Sequence, residues 1–143
     1  MARNGTSGLD ALRERIRAAA ETLGADEDML PTYGASDQTG RPHVEADDTG
    51  YHYVVCERGT EFERATSADP EEIAFLACRD MAFEMACEQE LASHVPGQDS
   101  RRRIFAIELE LLRTLDPAWA ERVRAENERI LAEHPFVDGA PQD

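Results

Sequence analysis

The stretch RPHVEADDTGYHYVVCERGTEFERATS, residues 41–67, decides the fold, because here the chain leaves the helical spacing of its flanks for short runs of β-formers. Two turn signals, Asp47-Asp48-Thr49-Gly50 and Glu57-Arg58-Gly59-Thr60, separate three runs rich in Val, Tyr, Phe and Thr. The expectation is a three-stranded antiparallel meander. If Ala46 opposes Tyr51 and Val55 opposes Phe62, one face collects Val44, Ala46, Tyr51, Tyr53, Val55 and Phe62. The other face collects His43, Glu45, His52, Cys56, Glu61 and Glu63. In this register Val54 falls on the polar face and Arg64 on the apolar one, so the separation is incomplete.

On the N-terminal side, TSGLDALRERIRAAAETLG predicts a helix with Leu9, Leu12, Ile16, Ala19, Ala20 and Leu23 on one side and Gly24 as its stop. The segment 25–40 is rich in turn formers and reads as a mobile loop with one helical turn before Pro31. On the C-terminal side, SADPEEI is a helix start: Asp69 as N-cap, Pro70 in the first position, and Glu71 and Glu72 where negative charge suits the dipole. That helix is expected to run to about His94 and to break at VPGQDS. A third follows from Ser100 to Leu115 with Ile104, Ile107, Leu111, Leu112 and Leu115 as its core stripe. Asp116-Pro117 repeats the cap signal and opens a fourth, bearing Trp119, Val123, Ile130 and Leu131. HPFVDGAPQD closes the chain as a tail with Phe136 docked. The order is that of an α+β fold: an N-terminal helix, the meander, then three helices packed on one face of the sheet. A single domain over 1–143 is expected, with its core in about 9–137, a mobile loop at 25–40 and a tail at 138–143.

The chain carries 30 acidic and 15 basic residues, for a formal net charge of -15. Such a surface repels nucleic-acid phosphates and anionic lipid, and attracts basic partners. No direct nucleic-acid contact is expected, and no membrane contact, since no run approaches the roughly 18 apolar residues of a membrane span. All basic residues are arginine, which reads as a coding bias. Cys56, Cys78 and Cys87 lack CxxC spacing and read as small apolar residues in a reducing compartment. The N-terminus shows no apolar stretch of a signal peptide, which points to a cytoplasmic protein.

Catalytic signatures are missing: there is no G-x-S-x-G, no H-E-x-x-H and no glycine-rich phosphate loop. Asp80, Glu84 and Glu88, within FLACRDMAFEMACEQE, stack on one helix face but lack the Glu-x-x-His pairs of a di-metal site, so they read as the wet edge of a core helix. His43, His52, Cys56 and Glu61 could converge on zinc, yet their spacing matches no ligand motif. No metal and no cofactor is expected. His94 and His134 suit helix C-termini. In DSRRRIF, three arginines crowd a helix N-terminus, where the dipole disfavours each by about 0.3–1 kcal/mol. Pairing of Arg102 and Arg103 with Glu88 and Glu90 across a helical hairpin is the expected offset.

The segments YHYVVCERGTEFERATSADPEEI and DSRRRIFAIELELLRTLDPAW, with a closing HPF, resemble the immunity protein 63 family of bacterial polymorphic toxin systems. The similarity spans about residues 40 to 137 and is best at Arg58 and Gly59 in the turn and at Asp99, Arg102 and Phe105 in the third helix. It implies a non-catalytic cytoplasmic protein that binds and blocks a cognate toxin domain, and an acidic blocker gains speed and specificity against a basic one. With helices covering the apolar face of the sheet, the partner-binding residues are expected on its polar face and turns: Glu45, Asp47, Asp48, His52, Glu57, Arg58, Glu61 and Glu63. Two alternatives remain open from the residues alone. One is a small metal-dependent or acid-base enzyme using His43, His52 and nearby carboxylates of the polar sheet face; the other is an acidic scaffold or regulatory subunit that dimerises through the sheet edge.

Overall fold

The computed structural model describes residues 4–34 and 38–139. The elements run α1 (Asn4–Leu23), a 3-10 turn (Glu27–Met29), β1 (Thr32–Tyr33), β2 (Thr39–Asp47), β3 (Gly50–Glu57), β4 (Thr60–Ser67), α2 (Pro70–Ala92), α3 (Arg101–Leu115) and α4 (Pro117–Glu133). The protein is therefore α+β, with an N-terminal helix, one sheet and three further helices. The chain divides into two compact units, Met1–Cys78 and Arg79–Asp143, with the boundary inside α2.

The sheet has four strands in the order β1-β2-β3-β4, one more than the sequence led us to expect. The additional strand, β1, pairs parallel to β2 through Thr32 opposite His43 and Tyr33 opposite Val44. Two residues between Pro31 and Gly34 are too few to display a period, so only the pairing reveals them. The Ala35–Asp37 part of the predicted loop lies outside the described residues, but the rest is tied down. Arg41 donates from Nε to the Leu30 carbonyl at 2.7 Å and from Nη2 to that of Glu27 at 3.1 Å, and Gly34 N–H donates to Val44 O at 2.9 Å.

The β2–β3 hairpin has the expected register, Ala46 opposite Tyr51. The β3–β4 hairpin does not: Val55 opposes Glu63, while Cys56 opposes Glu61, so Phe62 is an extra residue in a bulge. A one-residue insertion flips every side chain beyond it. Arg64 thus moves to the polar face opposite Val54, Glu63 leaves that face, and Phe62 points out, 65% exposed, instead of joining the core. The bulge removes the Arg64 anomaly of the simple register by putting Arg64 beside carboxylates that neutralise it, while Val54 stays on the polar face, fully buried between His43 and Arg64.

Within the first unit, α1 lies over the face of Val44, Tyr51 and Tyr53. Gly8 comes so close to the Tyr51 hydroxyl that a Cβ there would sit 2.0 Å from it, and the Arg13 guanidinium rests 5.2 Å from the centroid of the Tyr33 ring. Burial lifts the Tyr33 hydroxyl pKa to about 12. Leu12, Ile16, Ala19 and Ala20 of α1 are buried, as their helical spacing predicts. Asp69 caps α2 by accepting the Glu71 N–H at 3.0 Å, and Arg15 reaches back from α1 to Glu71 at 3.1 Å. The six residues Ile73 to Cys78 that follow are all buried, so this part of α2 is apolar on its whole circumference. The same burial raises the Cys78 thiol to about 12 and leaves it a packing residue.

In the second unit, Met81, Ala82 and Ala86 of α2, Leu112 of α3, and Trp119, Ala120 and Val123 of α4 are buried. Asp116 caps α4 by accepting the Ala118 N–H at 2.9 Å, with Pro117 in the first turn. The α3 arginines do not meet Glu88 and Glu90. Instead the chain after α4 returns to the start of α3. Asp99 accepts the N–H groups of Arg101 at 3.0 Å and of Val137 at 2.9 Å and pairs with the Arg101 guanidinium at 2.9 Å. Arg101 also donates to the carbonyls of His134 and Pro135. Arg102 pairs with Asp138 at 2.7 Å and lies 4.2 Å from the Phe136 ring centroid, and Gly139 N–H donates to Gly97 O. Arg103 donates to Ser93 O, and Glu90 pairs with His94 one helical turn on. For Arg102 the returning segment thus replaces the predicted cross-hairpin pair, and for Arg103 the Ser93 carbonyl does. Asp80, Glu84 and Glu88 are all exposed on α2.

Candidate functional site

The polar sheet face is built by alternation along β2, β3 and β4. Because cross-strand partners share a face, the pairs Glu45–His52–Thr66 and His43–Val54–Arg64 form two adjacent rows, with Glu61 opposite Cys56 beyond them. Arg64 is its hub, donating to Glu61 at 2.9 Å and to Glu45 at 3.2 Å, while Glu45 accepts from His43 Nε2 at 2.9 Å. The Arg64 guanidinium holds Glu61 below the usual carboxylate range. For Glu45, burial would raise the pKa, but the His43 ring and Arg64 outweigh it and the carboxyl sits lower than usual. Arg64 is itself raised, chiefly by Glu61.

A second network sits at the β2–β3 turn. Asp47 Oδ1 accepts from Thr49 N–H at 2.8 Å, from the Thr49 hydroxyl at 2.6 Å and from His52 Nε2 at 2.8 Å; the other ring nitrogen, Nδ1, bonds Thr66 Oγ1 at 2.8 Å. The Thr49 hydroxyl first, then His52, hold Asp47 well below its ordinary range. His52 is only 5% exposed and His43 only 4%, so neither ring is offered to a partner. Each turns its Nε2 toward a carboxylate, which orients both side chains as supports for the acids around them. The His43 Nδ1 atom is buried without a hydrogen-bond partner.

The eight predicted contact residues therefore separate. Asp48, Glu57, Arg58 and Glu61 are exposed on the turns and on β4, and Glu45 is half-buried beside Arg64. Asp47 and His52 brace the turn. Glu63 is exposed on the opposite face. Arg58 and Gly59 take positive φ, 52° and 82°, which is the type I′ geometry that lets a two-residue turn match the strand twist. Sequence reasoning missed Arg64, whose placement depends on the bulge. A cleft of about 310 Å³ between α1 and β1, lined by Arg13, Arg17, Tyr33 and Arg41, was likewise invisible, since β1 has no sequence signal.

Among the described residues, no group of three or more His, Cys, Asp or Glu side chains could hold a metal ion, and no helix is long and apolar enough to cross a membrane. The fold and its charged face define a small acidic α+β protein, with some of its exposed acids on two hairpin turns and an outer strand. The chain belongs to the Immunity protein 63 family, whose model matches residues 47–129, more than half of the 143 residues. Family membership suggests a toxin-neutralising immunity role. No curated protein and no solved structure shows significant similarity to the chain.

Proposed function

We propose that this chain is a non-catalytic cytoplasmic immunity protein that binds and neutralises the cognate toxin domain of a bacterial polymorphic toxin system. The family match over residues 47–129 carries the reading; it spans β3, β4, α2, α3 and most of α4. The net charge of -15 supports a basic toxin surface, because complementary charge speeds encounter and penalises wrong partners. The contact surface of this reading is the polar sheet face: Asp48, Glu57, Arg58 and Glu61 reach the partner, Glu45 and Arg64 complete the charged patch, and Asp47 and His52 hold the turn that presents it. β4 is an outer strand of the sheet, and the exposed Phe62 adds an apolar anchor beside Glu61.

Co-expression tests the reading. The candidate toxin is the C-terminal domain of a large secreted protein sought in the adjacent reading frame, and it is induced in a host with and without this chain. Survival only when the chain is present, together with a stable complex on gel filtration, is expected. A host that dies equally in both cases, with no complex formed, overturns the proposal.

A further inference from the structure

The second unit contains a charged group that its fold does not account for. Glu108, on α3, is 4% exposed, and among the described residues its carboxylate receives a hydrogen bond from Asn127 Nδ2 at a long 3.3 Å. A carboxylate in such a place destabilises unless it is paired, and an apolar side chain of similar size serves packing better. Burial pushes its pKa up, with the Asn127 amide and Arg79 opposing and Glu126 and Asp80 adding to the rise.

Glu108 also lines a recess of about 210 Å³ formed by α2, α3 and α4. Phe83, Phe105 and Ile130 supply apolar walls, and Phe83 and Ile130, 45% and 43% exposed, leave apolar surface open to an incoming side chain. At the rim stand Asp80 and the Arg79–Glu126 pair, joined at 3.3 Å. The lining thus holds three acids against one arginine. A volume of this size lies below the roughly 300–1,000 Å³ of small-molecule sites and suits one inserted side chain. Apolar walls favour a long aliphatic stem, and a desolvated carboxylate favours a cation at its end.

We infer that this recess is a specificity pocket for a lysine or arginine side chain of the toxin, with Glu108 as its counter-ion and Asn127 holding the carboxylate in place. The inference rests on the proposed immunity role and adds to it a defined anchor within the second unit. The incoming cation stabilises the ionised form of Glu108 that burial opposes, so binding relieves a strain that folding alone leaves in place. The positive charge is buried with its partner, the kind of contact that governs dissociation more than encounter.

The experiment compares Glu108→Gln and Phe83→Ala with the full-length wild-type chain, using the toxin domain of the co-expression test as the probe. Calorimetric binding at pH 7 is read beside thermal melting. Glu108→Gln is expected to weaken binding at least tenfold, mainly through faster dissociation, while its melting temperature at pH 7 is no lower than wild type. Phe83→Ala, at an exposed wall, is expected to weaken binding several-fold with the melting temperature retained. Wild-type affinity in both variants overturns the pocket and leaves the immunity reading standing. Weaker binding accompanied by a lower melting temperature in Glu108→Gln also overturns it, because that is the signature of a structural acid. A wild-type chain that does not bind the domain refutes the immunity reading itself, and the pocket with it.

Discussion

Replacing Asp99 with alanine removes the acceptor that joins the start of α3 to the chain beyond α4. Its carboxylate, 12% exposed, receives two backbone N–H groups, from Arg101 and from Val137, besides the Arg101 guanidinium. The Arg101 N–H is a helix-cap donor, and losing such a cap costs about 1 kcal/mol. The Val137 N–H bond to a charged acceptor contributes about 1.5 kcal/mol. The guanidinium adds little to the loss, since it keeps the carbonyls of His134 and Pro135. A total of about 2–3 kcal/mol follows, which for a chain near 150 residues lowers the melting temperature by about 6–10 °C. Amide exchange in residues 134–139 should accelerate before the helices themselves open. The Arg101 side chain, then the Val137 amide, hold the Asp99 carboxyl well below its ordinary value. Its contribution is therefore fully present above the unfolded pKa of about 3.9 and is lost as pH falls through the lower folded value. The gap between wild type and Asp99→Ala should accordingly be widest near neutrality and close in acid. Melting curves followed by circular dichroism at pH 7 and pH 3 measure both. A melting temperature at pH 7 indistinguishable from wild type, or a gap that widens in acid, refutes the reasoning.

The remaining predictions concern three other sites. Glu108 has a raised pKa, so its protonated form is the one the fold favours, and stability is lost as pH rises from the ordinary carboxyl value through the folded one. Glu108→Gln should flatten that decline and raise the melting temperature at pH 8, measured against wild type across pH 5 to 8. Charge reversal at Glu61, on the polar face and paired with Arg64, should slow association with a basic toxin domain more than reversal at Glu63 on the other face. Stopped-flow rates at low and high salt distinguish the two, and equal effects would count against the polar face as the contact surface. Asp116→Ala removes the acceptor of the Ala118 N–H and should cost about 1 kcal/mol in urea titration.

Helices and turns were legible in the residues because each signal is local. Asp69-Pro70 and Asp116-Pro117 place a side-chain acceptor and a fixed φ at the start of α2 and α4, and the structure begins both helices at those prolines. Arg58-Gly59 likewise suits a tight hairpin by itself. The α+β class follows from the order of such signals along the chain. What the residues could not display was anything set by a partner distant in sequence. β1 exists only through its pairing with His43 and Val44, and the β4 bulge is chosen by where Arg64 finds Glu45 and Glu61.

The same division runs through the candidate sites. Composition and alternation sufficed to mark an acidic, polar sheet face, since charge and period are properties of the chain alone. Only the tertiary structure showed that His52 is buried and, with the exposed Asp47, braces a turn, whereas Asp48, Glu57 and Glu61 lie exposed on the turns and on β4, because burial and hydrogen bonding arise when strands are brought side by side. The arginines at the start of α3 show it most plainly. The sequence announced an unfavourable cluster that needed neutralising; Asp99 beside it serves Arg101, but Arg102 meets Asp138 and Phe136, which return some 35 residues later in the chain. Local chemistry determined the elements and the charge of this protein; long-range packing decided which of its charged residues hold the fold together and which lie exposed on its surface.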